Sequence, residues 1–303
     1  MKGKPVAFII FGGTGDLTKR KILPSIYSLY KKELLHPDSY IVGIGRREYS
    51  DEEYKATLYS FSPESYEEDI WKDIRITYHK AHFDKECSLQ DLPLKIQDLE
   101  GGEGYNRLFY LATNYTFMPA IASQLKDVSL DTSTHGFSRV IFEKPFGKDL
   151  KSSDALNSKI QKIFPEEKIY RIDHYLGKET VQNLLSLRFC NPLFENIWNS
   201  TLIEEIRLVV EEDMAVGARI GYYDTAGAIK DMLQNHLLQV ISLVLMDAPA
   251  DNTPDAIHDE KIKVLKHLHI KDLSVGQYES YREEAQSNGI LATNTETLAS
   301  ATL

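Results

Sequence analysis

Cysteine is nearly absent. Cys87 and Cys190 are the only two in 303 residues, with no CxxC pair and no His/Cys cluster at zinc spacing. A disulfide framework is thereby excluded, no metal site is expected, and the usage fits a reducing, cytoplasmic setting. Long hydrophobic runs are missing too. The longest strongly apolar stretch, LLQVISLVLM at 237–246, is too short to cross a bilayer. PVAFIIF near the N-terminus runs straight into glycines rather than a cleavage site, so neither a membrane nor export is expected. Positive charge is not in excess either: 35 Lys and Arg stand against 45 Asp and Glu, a net charge of −10, which argues against nucleic acid as a partner. There is no internal repeat and no long low-complexity segment.

What is present is length enough for two domains, and an alternation of strand and helix patterns. VAFIIF at 6–11 is a continuous apolar run ended by glycines, the pattern of a strand buried on both faces of a parallel sheet. LTKRKILPSIYSLYKKELL then repeats apolar residues at helical spacing, with Pro24 expected to kink it, and YIVGIG at 40–45 reads as a second buried strand. NRLFYLA at 106–112 and SRVIFEKP at 138–145 read as further strands, followed by helix patterns in YTFMPAIASQLK and DLKSSDALNSKIQKI. The expected class is α/β: a doubly wound, Rossmann-like parallel sheet over residues 1–170, with a partial α+β domain carrying a largely antiparallel sheet over 171–303. In that second part LIEEIRLVVEED at 202–213 alternates like a half-exposed strand, and AGAIKDMLQNHLLQVISLVLM reads as one long helix. The last twenty or so residues are polar and small, and are expected to be loose.

The glycines after the first strand, in FIIFGGTGDLTKRK, put Gly12, Gly13, Thr14, Gly15, Asp16 and Leu17 where backbone amides and a helix N-terminus hold a pyrophosphate. The spacing is GxxGxL rather than GxGxxG, so a tight turn without a ligand stays open as a reading. The second strand ends in GIGRRE, so Arg46 and Arg47 stand where an NAD-specific protein carries an acidic residue. A guanidinium suits a 2′-phosphate, which favours NADP; an arginine stacked on adenine still admits NAD, and a solvated arginine pair is the plain alternative.

The block RIDHYLGKE at 171–179 crowds Asp173, His174, Tyr175, Lys178 and Glu179 around one glycine; as a helix, its spacing of four would place His174 and Lys178 on one face. This block, with FGGTGDLTKRKILPSIYSLY, EKPFG, LRFCNPLFENIWN and DMLQNHLLQ, resembles glucose-6-phosphate dehydrogenase in content and in order, and VGQYESYREE resembles a further family segment. The resemblance implies oxidation of glucose 6-phosphate to 6-phosphogluconolactone with reduction of NADP, a reaction of the pentose phosphate pathway and of glucose metabolism. It implies that His174, Tyr175 and Lys178 bind the sugar phosphate, and that His236 in LQNHLLQ is the base for the C1 hydroxyl, oriented by Asp173. It implies that Lys144, in EKPFG, touches substrate and cofactor, that Pro145 links their binding, and that Glu212 and Asp231 accept hydrogen bonds from sugar hydroxyls.

The sequence departs from the family at Thr113 and Asn114, where a proline is usual, and at Ala215 and Ile220, where glycines are common. Ending at TETLASATL, it lacks the later strands that carry further phosphate-binding lysines and most of the homo-oligomer interface. A non-catalytic, shortened paralogue or fragment that binds NADP without turnover is therefore the alternative reading. An unpaired sheet edge, lowered stability and a tendency to associate are expected.

Overall fold

The computed structural model describes residues 3–85, 87–133 and 136–303. They form two compact units, divided between Ile172 and Asp173.

Unit 1 is built on six strands, β1 (Val6–Phe11), β2 (Tyr40–Gly45), β3 (Arg75–Lys80), β4 (Asn106–Leu111), β5 (Ser138–Glu143) and β6 (Ile169–Ile172). They pair in the order β3-β2-β1-β4-β5-β6, parallel throughout, which is the doubly wound order of dinucleotide-binding domains. Central strands are apolar on both faces because helices cover both. Ile9 and Phe11 belong to one cluster with Val42, Phe109 and Val140, whereas Ile10 and Ile41 belong to another with Leu23, Tyr54 and Trp71. Pro24 sits in the first turn of the Leu23–Lys31 helix, which is preceded by a π-helical stretch, Thr18–Ile22. Helical dihedrals at Ile22 and Leu23 carry one stretch into the other, so Pro24 lies inside a continuous helical run, and the wide π-helical turn just ahead of it is the irregularity there.

Unit 2 contains the long helical segment expected for 226–246, but not as one regular helix. Ile220–Ala228 breaks at Gly227 (φ 70°), Ile229–Leu237 is π-helical, and Leu238–Leu245 is α-helical. The polar tail is ordered: Tyr281–Ser287 is a helix whose Tyr281 and Ala285 are fully buried beside Ile220. Beyond it, β8 (Leu298–Thr302) pairs antiparallel with β7 (Asp272–Gly276). Ile220 has ordinary helical dihedrals (φ −56°, ψ −37°), so its replacement of a glycine needs no unusual backbone. The strand expected at 202–213 does not form: residues 203–212 carry no regular secondary structure and join no ladder among the described residues. Its alternation is real, since Ile206 and Leu208 pack on the unit's core while Val209 is 73% exposed, but a strand needs a neighbour and none pairs with it among the described residues.

Candidate functional site

In unit 1 the glycine loop lies at the point where the strand order reverses, between β1 and β4. Gly12 needs its φ of 85° and its missing side chain, because a Cβ there would lie 2.3 Å from Ala112 O, just past β4. Both the Gly12 and Gly13 amides donate to Ile44 O at 2.9 Å, fastening the loop to β2, while Tyr54 closes over it by donating its hydroxyl to Gly13 O at 2.8 Å. Gly15 differs. A Cβ there would meet one protein atom, Gly12 O at 3.1 Å, so the space beside it is open. Thr14 reaches toward Gly45, at the end of β2, where Arg46 and Arg47 are exposed. Asp16 is ion-paired to Arg20 at 3.0 Å on the surface. Thr113 approaches Gly12, and Asn114 caps the short turn Tyr115–Phe117 by accepting the Thr116 N–H at 3.0 Å, the local role that its side chain favours. Lys144 and Pro145, joined by a cis peptide, follow β5 directly. Loop, arginines and Lys144 thus all stand at the carboxyl ends of parallel strands, where open α/β sheets bind ligands.

In unit 2 the block read as a helix is not one. After β6 the chain makes three successive turns, Leu176 N–H to Asp173 O (3.1 Å), Gly177 to His174 O (3.2 Å) and Lys178 to Tyr175 O (3.2 Å), and the helix Glu179–Phe189 begins only after Lys178. Asp173 starts this run by accepting the Tyr175 N–H on Oδ1 at 2.9 Å, the local bond that makes aspartate a turn residue. The turns still gather what a helix face would have gathered. Lys178 Nζ lies 3.8 Å from the Tyr175 ring centroid, and His174 packs edge-on to Tyr175 with centroids 5.0 Å apart.

Asp173 Oδ1 also meets His236 Nδ1 at 2.6 Å. A carboxylate only accepts, so Nδ1 carries a proton, and in the neutral ring the lone pair then sits on Nε2, the tautomer of a base. His236 is 1% exposed, stacked on Tyr175 (4.3 Å, 15°) and edge-on to His174 (4.6 Å, 74°). It stands in the π-helical stretch with Asp231, also buried. In an α-helix residues five apart diverge by about 140°; π-helical i→i+5 bonding, as in Leu238 N–H to Leu233 O, brings them onto one side. Asp231 accepts the Tyr222 hydroxyl at 3.2 Å, and Arg219 lies 3.6 Å from its other oxygen. Burial pushes the Tyr175 phenol up, as do the charges of Glu212, Asp173 and Asp231, in that order, so these carboxylates share its surroundings.

Asp173, His174 and His236 present ligand atoms within 4.8 Å of one another. A metal there would have to displace the Asp173–His236 hydrogen bond, and the cluster reads as proton-handling chemistry instead. A group that the sequence reading missed is Lys261, buried in the helix Pro254–His267 with Nζ 2.5 Å from Gln239 Oε1. Its signal was a lysine at the apolar spacing of Ile257 and Val264.

The fold and the glycine loop define unit 1 as a doubly wound dinucleotide-binding domain. Comparison with known proteins is specific: residues 9–183 match the family model described as glucose-6-phosphate dehydrogenase, NAD binding domain, and residues 185–302 match the C-terminal domain of the same enzyme. The chain belongs to the glucose-6-phosphate dehydrogenase family. Over 288 residues it is 38% identical to glucose-6-phosphate 1-dehydrogenase 2 of Mycobacterium tuberculosis, covering 90% of this chain and 56% of that protein. Over 294 residues it is 40% identical to the cytoplasmic glucose-6-phosphate 1-dehydrogenase 6 of Arabidopsis thaliana, covering 92% and 57%. A glucose-6-phosphate dehydrogenase solved in complex with its substrate glucose 6-phosphate superimposes with a TM-score of 0.90 at 33% identity, over 99% of this chain and 66% of that one. The chain thus spans about half the length of the curated relatives it matches. None of its described helices is long and apolar enough to cross a membrane.

Proposed function

We propose that the chain carries the catalytic groups of a glucose-6-phosphate 1-dehydrogenase, oxidising D-glucose 6-phosphate to 6-phosphogluconolactone with NADP as acceptor, as a cytoplasmic step of glucose metabolism in the pentose phosphate pathway. The observation that carries the reading is the 2.6 Å bond from His236 Nδ1 to Asp173 Oδ1. It leaves Nε2 to take the proton of the C1 hydroxyl, and it places a negative charge against the imidazolium that results. Tyr175 is stacked on His236 and the exposed His174 lies edge-on to it, so both border the imidazole. Lys178, Tyr175 and His174 supply a point charge, a phenol and an imidazole donor for the phosphate dianion. Asp231 and Glu212 accept from sugar hydroxyls.

The residues of unit 1 fit a dinucleotide. With the Gly12 and Gly13 amides committed to Ile44 and that of Gly15 to Gly12 O, the backbone at Thr14, Asp16 and Leu17 meets the pyrophosphate beside the open space at Gly15, and Arg46 meets the 2′-phosphate. Lys144 and Pro145 complete this end of the sheet. The nicotinamide, when bound, accepts the hydride leaving C1.

A second reading, a dinucleotide binder without turnover, draws support from the unpaired 203–212 segment and the exposed Leu202 and Met214 around it. Incubation with glucose 6-phosphate and NADP separates the two. Reduced nicotinamide formed in step with lactone supports the dehydrogenase; NADP binding by calorimetry with no product supports the binder.

A further inference from the structure

The helix Pro254–His267 turns Ile257 and Val264 toward the core cluster that holds Tyr175 and Val240. Steps of four and three residues put Lys261 on the same stripe, and it is 8% exposed. An ammonium in that place is unfavourable, and burial draws it below the ordinary lysine range. Two features hold the charge there. Nζ donates to Gln239 Oε1 at 2.5 Å, and the charge of the Asp173 carboxylate favours the ammonium. Gln239 lies three residues beyond His236 on the continuing helix, so the buried cation is tied to the segment that carries His236 and stands in the field of the carboxylate that orients it.

We infer that Lys261 is a positioning residue for the His236–Asp173 pair, its buried cation opposing the Asp173 charge so that the imidazole stays neutral until it takes a proton from substrate. The inference rests on the reading of His236 as base. Asp173 alone draws a proton onto His236, and a protonated imidazole cannot act as a base. Charged and titratable groups near the pair include His174, Tyr175 with Lys178 on its ring, Glu212 near Tyr175, and Asp231 with Arg219. Lys178 and Arg219 are exposed, where solvent screens them; Lys261 is buried and is screened much less.

The test is a titration of His236, followed by NMR of its imidazole and identified by the resonance lost in His236→Asn. Lys261→Met, close in shape and without charge, is expected to raise the His236 midpoint by about one pH unit, while Lys261→Arg leaves it near the parent value. An unchanged midpoint in folded Lys261→Met overturns the inference, whatever the change in melting temperature, because a merely structural lysine moves the melt alone. If Lys261→Met does not fold, the reciprocal arm decides. Asp173→Asn is expected to lower the titration midpoint of the Lys261 ammonium, read from its ε-carbon resonance, and an unmoved midpoint overturns the inference. The readout is protonation and not turnover, so a chain that makes no lactone still tests Lys261, and the two failures remain distinct.

Discussion

Tyr175 lies flat on His236, ring centroids 4.3 Å apart and planes inclined by 15°, and the backbone N–H of the same tyrosine bonds the Asp173 oxygen that holds His236. One carboxylate oxygen thus fixes two partners that also touch each other. The turn at 173–178 and the wide helix at 229–237 are coupled through this triangle, so the phosphate binding proposed for the turn and the proton transfer proposed for the helix share a common frame.

Lys178 lies over the Tyr175 ring and is assigned to the phosphate. Lys178→Ala is expected to raise KM for glucose 6-phosphate by about 10- to 100-fold with a small change in kcat, since the phosphate does not react. With glucose, which has no phosphate, the variant and parent should match; a comparable loss on glucose would place Lys178 elsewhere.

Arg46, exposed at the end of β2, is assigned to the 2′-phosphate. Arg46→Ala is expected to weaken NADP binding by about 10- to 100-fold and to leave NAD binding nearly unchanged. Calorimetry with each dinucleotide checks this, and equal weakening of both would show adenine stacking instead.

Glu296, from the tail expected to be loose, accepts the Ile229 N–H on its side chain at 3.0 Å and the Ala228 N–H on its carbonyl at 2.9 Å. It caps the start of the segment bearing Asp231 and His236, and the missing side chain of Gly227 makes room for it, since a Cβ there would lie 2.3 Å from Glu296 Oε1. Glu296→Ala is expected to cost about 1–2 kcal/mol in a denaturant melt and to lower kcat, while Glu296→Gln retains most of both. An unaffected melt would mean that the tail does not support the site.

The sheet was legible where strands are buried on both faces. VAFIIF and YIVGIG announce themselves as unbroken apolar runs, whereas the edge strand RITYHK shows only the weaker alternation of Ile76 and Tyr78, and passed unread. The order β3-β2-β1-β4-β5-β6 follows from a crossover pattern that no single segment encodes. In the site, the pairing of Asp173 with His236 could be named from the family resemblance, but its geometry could not. A spacing of four in RIDHYLGKE fits a helix as well as the three turns that form, because Gly177 and the Asp173 turn decide between them locally. A 3.6-residue period likewise cannot announce the π-helical stretch that brings Asp231 and His236 to one side. Alternation at 202–213 reports which side chains pack, not whether a neighbouring strand exists.

The central claim is that His236, oriented by Asp173, is the base. Its most direct test is kcat of His236→Asn with glucose 6-phosphate and NADP, alongside calorimetry of sugar-phosphate binding to the same variant. The account predicts a loss of about 10²- to 10⁴-fold in kcat with binding changed by only a few fold, because the proton transfer is felt in the transition state. Turnover within a few fold of the parent would contradict it.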